Sequence, residues 1–135
     1  MLEVPALPEA EAKPVLHVCT TCRAGNPLAE GEVPPGRHLH DAVAAALAAH
    51  PSPPVELRPV KCMAACDHGC TAAMTAPGKW GYLLGRLDLA HAEDLLTYGA
   101  AYAASGSGAV LPSRRPASLR SVVLGRLPSL TEPQS

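Results

Sequence analysis

The residues best suited to chemistry in this 135-residue chain are its five cysteines, gathered in two short clusters. Cys19 and Cys22 stand in "HVCTTC"; Cys62, Cys66 and Cys70 stand in "KCMAACDHGCT", each separated from the next by three intervening residues. Thiolates bind soft and borderline metals, and two short C-x2-C or C-x3-C spacings suit a four-thiolate zinc tetrahedron. Four thiolates, two per iron, equally suit a two-iron iron–sulfur cluster. Clustered thiols can also build a disulfide framework or a dithiol redox pair. An odd count leaves one thiol over in any all-disulfide scheme. The first residues carry no basic stretch followed by a long apolar one, so no secretory signal is expected there. The expected setting is the cytoplasm, where clustered thiols serve metals or redox chemistry more often than structural bridges.

The elements that must carry these cysteines are legible in outline. Residues 1–14 are acidic, contain proline and lack periodicity, which predicts a disordered arm. "PVLHVC" reads as a first strand running into Cys19. "RHLHDAVAAALAAH" (37–50) places Leu39, Val43, Ala46, Leu47 and His50 at helical spacing and is stopped by "PSPP". "VELRPVKC" (55–62) alternates and ends at Cys62, with Pro59 marking an edge or a strand end. "TAAMTAPGKWGYLLGRL" (71–87) predicts a hairpin turning at "APGK". Asp88 then caps a helix over 89–105, with Leu89, Ala92, Leu95, Leu96, Gly99 and Tyr102 toward the sheet. A short helix is expected over 116–127, from Pro116 and the spacing of Leu119, Val122, Val123 and Leu127. A disordered tail is expected over 128–135.

Strand, helix, strand, hairpin and helix together match an α/β fold, a thioredoxin-like small mixed sheet with flanking helices, in one domain over 15–127. If the first two strands are parallel neighbours, both clusters lie at one end of the sheet and their thiols share a site.

Composition narrows the function. Net charge is −1 with no basic run, and aromatics are Trp80 and three tyrosines, so neither nucleic acid nor an anionic membrane is an expected partner. No apolar run is long enough to span a bilayer. There is no acid–base pair, Ser–His–Asp ordering, P-loop or dinucleotide fingerprint; "GSG" (106–108) neither follows a strand nor opens a helix. The expectation is therefore a carrier rather than an enzyme. "CTTC" has the spacing of a redox dithiol, but such a dithiol stands at a helix start, and Arg23, Gly25, Asn26 and Pro27 follow it here. A redox dithiol also leaves three cysteines unexplained. C-x3-C-x3-C differs from the radical S-adenosylmethionine signature in its last spacing, and that family uses a larger barrel.

Several residues have ordinary readings beside functional ones. His17 reads as a strand residue satisfying local bonds, and His68 as a loop residue within reach of a cluster sulfur. His38, His40, His50 and His91 read as helix-surface residues. Lys61 and Lys79 are either solvated charges or cations offsetting a thiolate-bound cluster. Met63, Ala64 and Ala65 could shield such a cluster, and Trp80 reads as packing.

The cysteine arrangement resembles the thioredoxin-like [2Fe-2S] ferredoxins, which place two cysteines after the first strand and a C-x3-C pair after a later one. The resemblance implies Cys19, Cys22, Cys62 and Cys66 as cluster ligands, with Cys70 as a spare or alternative ligand. Two features differ from that pattern: the first pair is spaced by only two residues, and Cys70 is additional. "HVCTTC", "CMAACDHGCT", "APGKWGYLLG" and "AEDLLTYGAAYA" together resemble an uncharacterised bacterial family of predicted metal-binding proteins, from about Val15 to Leu127. That resemblance implies a cobalamin-related setting. The function so implied is electron transport by a Cys-ligated [2Fe-2S] cluster, with a protein redox partner. Similar ferredoxins pair, which implies a homodimer as one form. The alternatives are a zinc- or cobalt-binding structural or delivery protein (Zn2+ as the metal) and a thiol oxidoreductase.

Overall fold

A computed structural model of the chain describes residues 13–23, 27–63 and 69–128. Five strands form one sheet: β1 (Val15–Cys19), β2 (Glu56–Val60), β3 (Cys70–Thr75), β4 (Gly81–Leu87) and β5 (Val123–Leu127), in the order β2-β1-β3-β4-β5. β1 and β2 are parallel, as a crossover through helix α1 (Pro35–Ala48) requires; the other pairings are antiparallel. β2 is an edge strand, which accommodates Pro59. This is the mixed sheet with flanking helices expected from the sequence.

Alternation along the strands builds the core. Leu16, Met74 and Tyr82 lie side by side across β1, β3 and β4, as do Val18, Ala72 and Leu84, and all six are buried. The intervening His17, Ala73 and Leu83 form a half-buried row. α1 contributes Leu39 and Val43 to the core. Helix α2 (Ala92–Ala104) contributes Leu95, Leu96, Tyr98 and Tyr102. Gly99 lets α2 approach the sheet: a Cβ there would run into Val55 Cγ1 and lie 3.5 Å from Met74 Cε. Tyr82 meets Tyr98 and Tyr102 edge-on, with ring centroids 5.8 and 6.2 Å apart.

Asp88 caps as expected: its carboxylate accepts from Ala90 N (2.8 Å), while His91 Nδ1 accepts from Asp88 N (3.0 Å). The first turn, Leu89–His91, is 3-10, and this leaves Leu89 exposed rather than facing the sheet. The "APGK" turn closes through Lys79 N to Ala76 O (3.2 Å), with Gly78 at φ 72°. Pro14 is buried and its carbonyl accepts from Glu56 N (2.9 Å). Residues 1–12 and 129–135, most of the expected arm and tail, lie outside the described residues.

The helix expected over 116–127 is replaced by one 3-10 turn, Ala117–Leu119, and strand β5. Tertiary context decides this. β4 offers an open edge, adjacent Val122 and Val123 favour extended backbone, and Gly125 lowers helix propensity. β5 completes the sheet by pairing Leu83 with Gly125 and Tyr82 with Arg126. Among the described residues, no helix is long and apolar enough to cross a membrane.

Candidate metal centre

The sheet brings the described cysteines, Cys19, Cys22, Cys62 and Cys70, to one end. Cys19 ends β1 opposite Val60, the last residue of β2, so Lys61 and Cys62 leave the sheet beside Thr20 and Thr21. The two loops are stitched together there. Thr20 N donates to Val60 O (2.8 Å), Thr20 Oγ1 to the same carbonyl (3.3 Å), and Thr21 Oγ1 to Lys61 O. Cys19 Sγ also donates to Lys61 O, at 3.4 Å. Strand β3 runs back antiparallel to β1 and starts at Cys70, so that thiol belongs to the same end.

Three thiols are buried here: Cys19 and Cys22 are 3 % exposed and Cys70 is 2 %. Cys62 is exposed. Cys66 and His68 lie outside the described residues, as do Ala64 and Ala65; Met63 packs against the core. Cys22 Sγ donates to the carbonyl of Gly69, the residue before Cys70. Burial pushes the Cys70 thiol up to about 12, with further upward pushes from Cys22, Cys19 and Asp88. It is therefore a neutral thiol at physiological pH, and a cation would have to displace its proton to bind sulfur.

The donor set fits a thiolate-bound metal or cluster in type: the sulfurs are soft, and three of the four described ones are buried. Among the described residues, no three His, Cys, Asp or Glu side chains are already converged on a common point. Cys19 and Cys22 instead hydrogen-bond to the carbonyls of Lys61 and Gly69, at the two ends of the intervening loop.

The start of α1 packs against "CTTC". Gly36 N donates to Cys22 O (3.0 Å), and a Cβ on Gly36 would run into Cys19 O and lie 3.1 Å from Cys22 N. A helix start thus meets the first cysteine pair in space although none follows it in sequence. The sequence argument against a redox dithiol considered only the residues that come next; the loop after Cys22 returns the helix to the motif. Partial positive charge at a helix N-terminus favours nearby thiolates.

A β-bulge shapes the other side. Leu84 pairs with Ala72 and Leu87 with Cys70, so β4 carries one extra residue opposite the start of β3. Arg86 falls within that extra length at φ 55°, a left-handed conformation rare for a long side chain. Gly69, at φ 74°, packs on it: a Cβ there would sit 3.4 Å from Arg86 Cα.

The other singled-out residues fall as follows. Lys61 lies at the cysteine end, where its carbonyl is the shared acceptor. Lys79 sits in the β3–β4 turn, at the opposite end of the sheet. Its amine donates to Tyr102 O (3.2 Å) and Ala103 O (3.0 Å) in the last turn of α2, so it cannot offset charge on the thiols. His17 Nε2 bonds Thr75 Oγ1 (2.8 Å), the local satisfaction expected of it; burial and then Arg58 hold its pKa below the usual histidine value. Trp80 carries Arg126 over its ring at 4.3 Å. Sequence reasoning missed Gly36. The available signal was a glycine beside Pro34 and Pro35 just before the amphipathic run.

Comparison with solved structures finds a thioredoxin-like [2Fe-2S] ferredoxin from Aquifex aeolicus at a TM-score of 0.54. The match covers 84 % of this chain and 92 % of that one at 16 % identity, a likeness that shows the thioredoxin-like fold. No curated protein matches the chain. A family model described as "Protein of unknown function (DUF1636)" matches residues 16–129, and the chain belongs to that family.

Proposed function

We propose that this protein is an electron carrier whose cysteines hold a [2Fe-2S] cluster at the end of the sheet where β1, β2 and β3 meet. The observation that carries this reading is the burial of Cys19, Cys22 and Cys70 in one neighbourhood, with Cys62 and Cys66 in the adjoining segment. Likeness of fold to a thioredoxin-like [2Fe-2S] ferredoxin supports it. Four of the five thiols would serve as ligands, and the cluster would supply one-electron chemistry.

The chain's own residues provide the rest. The starts of α1 and β3 exclude water from the inner thiols. Cys62, which is exposed, stands on the side where a protein redox partner would dock. That partner would act in a cobalamin-related step, in the cytoplasm. Thiol oxidoreduction is a second reading, favoured by the α1 start against Cys19 and Cys22. A zinc or cobalt site is a third, favoured by the C-x2-C knuckle.

Electron paramagnetic resonance separates these. Protein purified without air should be silent when oxidised and give a one-electron signal after dithionite. A dithiol enzyme or a zinc protein would be silent in both states.

A further inference from the structure

The chain's net charge of −1 is unevenly spread: no Asp or Glu falls between Leu95 and Thr131, while Arg114, Arg115, Arg120 and Arg126 all do. Two of these, Arg115 and Arg126, line one cleft of about 360 Å³ between β5 and the segment that follows α2. Val110, Leu111 and Val123 give it apolar walls, and Tyr82 lies between the two arginines in the fold. Arg126 is the direct partner of Tyr82 across β4 and β5, so the two side chains share a face of the sheet. Arg115 reaches that face from the other side, its guanidinium carbon 5.9 Å from the Tyr82 ring centroid. Tyr82 is itself fixed, its hydroxyl accepting from Val110 N (3.1 Å). Both guanidiniums are held in place. Arg115 Nε donates to Val110 O (2.9 Å) and Nη1 to Arg120 O (3.3 Å), while Arg126 rests on the Trp80 ring at 4.3 Å. Among the described residues neither meets a carboxylate: the ion pairs there belong to Arg37, Arg58, His40 and His91. Asp94, the acid nearest in sequence, accepts instead from the Ser118 hydroxyl. Arginine carries five N–H donors, so both side chains keep donors for a ligand.

We propose that this cleft binds a small organic phosphate monoester, its phosphate between Arg115 and Arg126 and its apolar body against Val110, Leu111 and Val123. A phosphate monoester carries a charge of about −1.5 to −2 at neutral pH, which matches two guanidiniums without a counter-charge. Their forked donors suit its oxygens, and stacking on aromatic rings orients them beforehand. The volume falls within the range of small-ligand sites, about 300–1,000 Å³. Leu127, next to Arg126, pairs with Gly81 beside the β3–β4 turn, at the end of the sheet opposite the cysteines. The cleft is therefore independent of the metal centre, and its failure to bind would leave the proposed function standing.

The test is a titration of the intact protein with phenyl phosphate at low ionic strength, followed by amide proton–nitrogen NMR. Saturable shifts centred on Tyr82, Val110, Leu111, Arg115 and residues 123–126 are expected. Benzyl alcohol, which has the ring without the charge, should shift none of them. Inorganic phosphate, which has the charge without the ring, should bind about tenfold more weakly. No saturable shift with phenyl phosphate, or shifts centred elsewhere, would overturn the proposal. Equal affinity for inorganic phosphate would overturn the assignment of an organic ligand and leave an adventitious ion only. Arg115 also supports the fold through its two carbonyl bonds, so the variant of choice is Arg126→Gln, whose guanidinium rests on Trp80 alone. With an unchanged far-UV spectrum, it should weaken phenyl phosphate binding by about tenfold, as expected when a hydrogen bond to a charged group is lost. An affinity within about twofold of wild type would overturn the placing of the phosphate between the two arginines.

Discussion

Replacing Gly36 by alanine sets helix propensity against site geometry. Propensity alone favours the change by up to about 1 kcal/mol, since alanine is the better helix former. The structure predicts the opposite sign. The added Cβ would meet Cys19 O, Cys22 N at 3.1 Å and Cys19 C at 3.2 Å, all backbone atoms that cannot rotate away. The first turn of α1 must therefore back off from "CTTC". Forced overpacking costs roughly 1–3 kcal/mol. Losing the 3.0 Å bond from Gly36 N to Cys22 O removes about 1 kcal/mol more. Set against the propensity gain, the net loss is about 2 kcal/mol, or roughly 8 °C in Tm for a domain of this size. Urea unfolding of Gly36→Ala beside Gly125→Ala measures it. Gly125 has nothing within 4 Å of an added Cβ, and its change should stay within about 0.5 kcal/mol. Because the displaced turn carries Cys19 and Cys22, metal affinity should fall in the first variant and hold in the second. A Gly36→Ala protein as stable as wild type, with unchanged metal affinity, would refute the claim that α1 is fitted against the cysteine turn.

Lys79→Met should destabilise by about 1 kcal/mol without touching metal affinity, since its amine satisfies carbonyls at the end of α2, remote from the thiols; urea midpoints and a zinc titration read both. Tyr102→Phe removes the 2.6 Å bond to Trp80 O and should cost about 1–2 kcal/mol, read by thermal unfolding. His17 has a folded-state pKa held below its unfolded value, so the unfolded chain binds the proton first. Its contribution to stability is present above the unfolded value of about 6.5 and is lost as pH falls from there toward the folded pKa. His17→Gln should flatten that part of the stability–pH curve relative to wild type. Removing the metal should leave most far-UV circular dichroism, because sheet and helices share a core of their own; collapse to a coil spectrum would contradict this.

Much of the site's placement was legible because it depends on topology. Once β1 and β2 are read as parallel neighbours, Cys19 and Cys62 must leave the same end of the sheet. The same reasoning, carried through the hairpin, would have put the "APGK" turn and Lys79 at the far end. Local signals were also sound where chemistry is local, as in the Asp88 cap and the Pro59 edge strand. What escaped the sequence depends on distant partners. Residues 123–127 show apolar spacing that suits a helix, and only the open edge of β4 makes them a strand. Gly36 looks like loop punctuation until α1 is seen against Cys19 and Cys22. The bulge in β4 opposite Cys70, with Arg86 in a left-handed conformation, is likewise something that no spacing of cysteines reveals.

Iron and acid-labile sulfide analysis of protein expressed with ample iron and purified without air tests the central claim most directly. The account predicts a reddish-brown protein with about two irons and about two sulfides per chain, bleached by dithionite. A colourless protein holding stoichiometric zinc and no labile sulfide would contradict it.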